Sequence, residues 1–424
     1  MTNSSRPLVG QTGLMPILKE WWEELNWPRV LGAARYGLRP GRLGLAFFAV
    51  LIAVLLVGLG GAIDSVLVKG GVQWPNCPVW PWQAGADRHE ALLGLWRLYI
   101  SIPKRFFLGA PVTTIVVGPL LLAIVVMIGG AISRITACEV CLGQRLTWTQ
   151  ALGFSVPRWY SFFGAVLGPL VIVWGIAGAM LIAGWALFQL PVLNMVGGLL
   201  YGFFLLGGLL CTIILVGYIL GHNLMVPAIA CEGTDAIDAV QRAYTYFFAR
   251  PLRLILYLVC GSIGVAVIVA VVAALASWTI GFAAQGAAVW ANAQIQPGPP
   301  KLTSHGMIWD STFAALAPLT PLTLSPSDTS AYHGTWSMTA TLIRLWTLIP
   351  VVLVLAAWFS CGISACTAVY LGMRQICDGQ DWAELWIPGL IPGTMAQSLE
   401  GRAKVAQEES VASSGPAPED LDEE

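Results

Sequence analysis

Runs free of Asp, Glu, Lys and Arg dominate the hydropathy pattern, and five are long: Leu43–Ile63, Phe106–Ser133, Trp159–Cys231, Leu254–Pro300 and Leu345–Met373. A helix needs about 20 residues to cross the roughly 30 Å hydrocarbon core. An ionised side chain at mid-membrane costs a few kcal/mol, so charge-free runs are the cleanest mark of a span. The third run is long enough for two spans, with Gln189-Leu190-Pro191 and Asn194 reading as the turn between them. The pattern predicts six spans, at about 43–62, 113–132, 162–187, 196–220, 254–276 and 346–370. The expected fold is therefore all-α, a polytopic membrane domain over 43–373. It is preceded by a segment 1–42 with an interfacial helix and followed by a post-membrane segment 374–397 and a tail 398–424. Gln407–Glu424 holds seven acids and no base, which predicts a disordered, solvated tail.

Between the spans the pattern changes period. Ile237, Val240, Tyr244 and Phe247 recur at helical spacing and predict a short amphipathic helix after the fourth span. Asp235 stands where it can cap that helix, Asp238 and Arg242 are four apart in a stabilising order, and Pro251 ends it. Gly233 suits the left-handed turn that closes the preceding span. His89–Ile102 reads as an interfacial helix in the first long outer loop.

The corner motif recurs. Cys231-Glu232-Gly233-Thr234-Asp235 follows the fourth span, Cys377-Asp378-Gly379-Gln380-Asp381 follows the sixth, and Cys138-Glu139 begins alike after the second. Arg39-Pro40 leads into the first span and Arg250-Pro251 into the fifth, with Pro157-Arg158 as a degenerate copy before the third. The expected unit is a short helix, an Arg-Pro corner, a span, a loop, a returning span and a Cys-acid turn, present about three times.

Composition narrows the class. Of 424 residues, 57% are apolar and 11% charged, against about 25% charged in a soluble domain, so a soluble enzyme and a disordered chain are both excluded. With the N-terminus inside, the inner segments collect 15 Lys and Arg against seven outside, so the positive-inside rule puts both termini in the cytoplasm. A net charge of −1 gives no indication of a polyanionic partner, and no nucleic-acid role is expected.

The stretch from Pro227 to Pro251, with its Cys231-Glu232-Gly233 turn and Arg250-Pro251 ending, resembles a group of uncharacterised bacterial polytopic membrane proteins. Tyr370-Leu371-Gly372-Met373-Arg374 before Asp378-Gly379 looks like their C-terminal signature. More distantly, the pattern is similar to the membrane domain that accompanies glycerophosphodiester phosphodiesterases. The phosphodiesterase barrel has no counterpart here, so the resemblance implies a fold type and a bacterial inner-membrane location, and no activity.

Candidate chemistry is sparse. Cys138, Cys141, Cys231 and Cys377 lie at the ends of returning spans and could converge on zinc or an iron–sulfur cluster, or serve as small apolar side chains. The second reading is preferred, because only Cys138–Cys141 has ligand spacing. The predicted spans hold no acid or base, unlike most pumps and coupled transporters. Gly164/Gly168 and Gly198/Gly202, the second pair extended by Gly207-Gly208, are read as tight helix packing. The favoured function is a non-catalytic membrane component without a cofactor, with the lipid bilayer, membrane-protein partners or a second copy as partners. A permease or lipid-handling subunit, and a cysteine- or metal-dependent enzyme or sensor, are the alternatives. Any functional surface is expected at a structural or docking rim made of Glu232, Gly233, Asp235, Asp238, Arg242, Arg250, Pro251, Arg374, Asp378, Gly379 and Asp381.

Overall fold

The computed structural model describes residues 27–67, 99–100, 102–189, 193–291, 312, 334–382 and 384–386. All regular elements among them are helical. Six helices are long and apolar enough to cross a membrane, so the chain is an all-α polytopic membrane protein, as its apolar runs predict. In chain order the helices are α1 (Trp27–Ala33), α2 (Pro40–Leu67), α3 (Ile102–Gly109), α4 (Gly118–Leu142) and α5 (Trp148–Ser155). They continue with α6 (Trp159–Phe188), α7 (Leu193–Leu199), α8 (Tyr201–Glu232), α9 (Ala236–Ala249), α10 (Pro251–Ala291) and α11 (Thr335–Asp378). The six long ones are α2, α4, α6, α8, α10 and α11. The tail 398–424 and most of the expected His89–Ile102 helix lie outside the described residues.

The helices outrun the charge-free cores, because a backbone can stay helical where side chains already reach the headgroup layer. As folded, α2 therefore includes Arg42 and Asp64, α4 includes Arg134 and Glu139, α8 ends on Glu232, and α11 contains Arg374. The predicted spans keep their charge-free cores, and the charges enter where the helices run past those bounds.

At the centre is α11, which packs on α1, α2, α4, α8 and α10. Its contact with α4 is polar as well as apolar. Ser133 Oγ lies 2.8 Å from Thr367 Oγ1, and Thr136 Oγ1 lies 3.1 Å from Ser364 Oγ, all four being fully buried. Thr136 and Thr367 also donate to carbonyls one turn back in their own helices. A buried hydroxyl thus finds a partner in a medium that offers no water. Ser360 donates to the Gly37 carbonyl at 2.8 Å, fixing the turn that enters α2 against α11. That approach is close: a Cβ on Gly37 would come within 2.5 Å of the Cys361 backbone.

The other end of α2 is anchored by a buried acid. Asp64 accepts from the backbone amides of Val112 and Thr113, each at 2.9 Å, and from the Thr113 hydroxyl at 2.6 Å. The carboxylate thereby caps the start of the following span from a different helix, and its negative charge suits that helix end.

Candidate functional site

Polar side chains gather at one end of the bundle, where α4, α8 and α11 each terminate on a glycine. Gly143, Gly233 and Gly379 have φ of 67°, 65° and 69°. At Gly233 two demands coincide, since a Cβ there would also collide with the Trp386 ring. Two residues beyond, Asp235 occupies the N-cap position of α9 as expected, although its side chain makes no capping bond.

The face that α9 buries differs from the predicted one. Ala239, Ala243 and Tyr246 are its buried residues, with Val240, Tyr244 and Phe247 partly covered. Ile237 is 82% exposed. Small alanines let α9 lie close to α8, an inward face that a count of large apolar residues overlooks.

Five side chains then link α8, α9 and α11. Arg242 on α9 reaches Glu232 at the end of α8 at 2.5 Å and approaches Asp378 at the end of α11 at 3.9 Å. Tyr370 donates its phenol to Glu232, and Tyr246 donates to Asp378. The two phenol rings pack together, their centroids 6.0 Å apart, and both are buried. Burial is the largest single influence on Arg242 and would lower its pKa, but the Glu232 charge together with the Tyr370 and Tyr246 phenols outweighs it, so the pKa is raised. Burial first, and then the bond to Asp378, pushes the Tyr246 phenol above the ordinary tyrosine value of 10.0.

This geometry rearranges the sequence reading. Arg242 turns to Glu232 and Asp378 rather than to Asp238, four residues back on its own helix. Arg374 is buried and serves backbone: it donates to the carbonyls of Asp381, at 3.0 Å, and Glu384, at 2.6 Å. Asp381 thus joins the rim through its main chain. Arg250 ends α9 with its amide on the Tyr246 carbonyl at 3.1 Å, its side chain exposed, and Pro251 begins α10. Gly379 closes α11.

Three groups that the rim prediction did not include complete it. Arg39 and Arg42 both pair with Glu139, and Arg42 also donates to the Ile135 carbonyl at 3.2 Å. Arg134 donates to the carbonyls of Ala230 at 2.9 Å and Trp386 at 2.7 Å. Residues 384–386 pass back beneath the bundle, where the Trp386 amide donates to the Cys231 carbonyl at 3.1 Å. The Arg-Pro corner and the Cys-Glu pair both stood out in the sequence, but their separation by almost a hundred residues hid that they meet.

The four cysteines considered as ligands sit in the core at this end. Cys138 and Cys231 are buried, while Cys141 and Cys377 are half-buried against it. Among the described residues, no three His, Cys, Asp or Glu side chains group as a metal site requires. His222 turns its Nδ1 to the Tyr218 and Ile219 carbonyls, at 3.0 and 2.9 Å. Comparison with protein-family models, with characterised proteins and with solved structures finds no match.

Proposed function

We propose that the chain is a non-catalytic integral membrane protein of the bacterial inner membrane, whose polar rim clamps the helix ends and offers a docking face to membrane partners. The observation that carries this reading is the Glu232–Arg242–Asp378 link with its two tyrosines, which ties three helices by side chains that are each already partnered. A carboxylate held by an arginine and a phenol is poorly placed for proton transfer and well placed to fix geometry.

The same reading takes the fold as three repeated hairpins. Support comes from the turns: Cys141, Cys231 and Cys377 each stand two residues before a left-handed glycine, and a short helix precedes α2, α6 and α10. On this alignment Cys141, not Cys138, corresponds to Cys231. Support for a cytoplasmic rim comes from the 15-to-seven distribution of Lys and Arg. Orientation is tested with epitope tags read by antibody in spheroplasts. A tag inserted after Asp328 is expected to be reached in intact spheroplasts, and one fused after Glu424 only after permeabilisation. The opposite pattern overturns the orientation and with it the cytoplasmic docking face.

A further inference from the structure

Beside the clamp, α9 separates two cavities of opposite character that share one residue. On the bundle side lies an apolar groove of about 340 Å³ formed by Gly164, Gly168 and Ile172 of α6, Ile214 of α8, and Ile237 and Tyr244 of α9. On the other flank lies a polar pocket of about 410 Å³ that includes Asp238, Arg242, Asp378 and Gln380. Gln241 lines both. At 100° per residue, Ile237, Gln241 and Asp238 follow one another around the helix, so the apolar groove passes over one edge into the polar pocket. The groove's floor is open, since a Cβ on Gly168 would meet no atom within 4 Å.

We propose that this pair of cavities is a binding site for a phospholipid with a primary ammonium headgroup. One acyl chain lies in the groove, the glycerol region crosses Gln241, and the ammonium meets the carboxylates of Asp238 and Asp378. Charge complementarity selects the headgroup. The pocket presents two acids and one arginine, and that arginine is already held by Glu232 at 2.5 Å. Asp238 is exposed and has no cationic partner among the described residues. An anionic phosphoglycerol headgroup would face the unpaired Asp238 carboxylate beside an Asp378 that Arg242 and Tyr246 already hold, whereas an ammonium gains charge-assisted hydrogen bonds from both acids. The 82% exposure of Ile237 fits an occupant that is apolar and not part of the chain. The proposal rests on the reading of the rim as a headgroup-level surface, and adds a ligand to it.

The full chain in mild detergent is titrated with dioleoyl phosphatidylethanolamine and with dioleoyl phosphatidylglycerol, and adducts are counted by native mass spectrometry. The ethanolamine lipid is expected to bind in preference. Gly168→Leu, whose Cβ would meet no atom within 4 Å and whose branch projects into the groove, should weaken both lipids about tenfold. Asp238→Asn should remove the preference and leave lipid bound. If Gly168→Leu lowers the melting temperature, Ile172→Trp at a half-exposed groove position gives the same readout. Equal or better binding of the glycerol lipid by the unaltered chain overturns the headgroup assignment, and unaltered binding by the groove variants overturns the site. A chain that fails the orientation test yet keeps the lipid preference loses only its topology.

Discussion

Asp64 is the residue whose environment is most completely specified. It is fully buried, and three donors from Val112 and Thr113 converge on its two oxygens. Asp64→Ala removes the acceptor and leaves those three donors without their protein partner, so it should lower the melting temperature. Asp64→Asn keeps one carbonyl oxygen but replaces the other with a donor facing donors, so it should recover only part of the loss. The check is a detergent melting curve for the three proteins, ordered native, Asn, Ala; equal melting temperatures would show that the bonds contribute nothing. Nothing in the sequence marks Asp64 for this task. It stands just past the end of a charge-free run, where an acid is expected to be solvated, and its partners lie 48 and 49 residues away. Glu232 and Arg242 were legible as rim residues because charges are scarce and theirs recur beside a glycine turn. Tyr246 and Tyr370 were not, since a tyrosine near an apolar helix carries no mark of the carboxylate it will meet.

Helices approach closely at glycines, but spacing along one helix does not show which face has a neighbour. The stripe Gly164/Gly168 and Gly198/Gly202 reads as a packing face. In the fold, a Cβ at Gly168, Gly198, Gly202 or Gly208 meets nothing within 4 Å, whereas Gly164 faces the side chain of Ala236 and Gly207 that of Met180, at 3.0 Å. The close approaches are elsewhere. A Cβ at Gly264 would come 2.5 Å from the Leu31 carbonyl oxygen, and one at Gly37 would run into the α11 backbone at Cys361. Backbone atoms cannot swing aside as a side-chain tip can. Gly264→Ala and Gly37→Ala should therefore each destabilise the bundle by about 1–3 kcal/mol through overpacking. Gly202→Ala should be neutral or stabilising by up to about 1 kcal/mol, because alanine is the better helix former. Thermal unfolding in detergent separates the two groups; a loss at Gly202 comparable to that at Gly264 would mean that its open face is covered by a partner, such as a second copy. The elements themselves were readable because an apolar run of span length has few alternatives in a bilayer. Their ends were less so, since helices continue into the interface beyond the first charge.

Across the whole molecule, the rim is where chain segments far apart in sequence are held in register. Glu232 and Asp378 end two spans whose contact the bilayer does not itself enforce, because lipid tails are as apolar as the helix faces they would replace. Polar links at the helix ends supply what apolar contact cannot: one preferred arrangement. Glu232 keeps 11% of its side-chain surface exposed and Arg242 keeps 32%, so their pair should exceed a solvated surface bridge without reaching the cost of a fully buried one. In a double-mutant cycle read by melting in detergent, Glu232→Ala and Arg242→Ala should each destabilise. The double variant should fall short of their sum by about 1–2 kcal/mol. Tyr370→Phe, which removes the phenol from Glu232 and nothing else, should destabilise in the Arg242 variant as well, because the two donors reach different oxygens of the carboxylate. Additive losses would mean that the ion pair does not act as a clamp. Full stability in both single variants, together with the cellular phenotype of a deletion, would shift the rim from scaffold to functional surface. Charges kept at such a helix end without a stabilising effect would need an external partner to explain them.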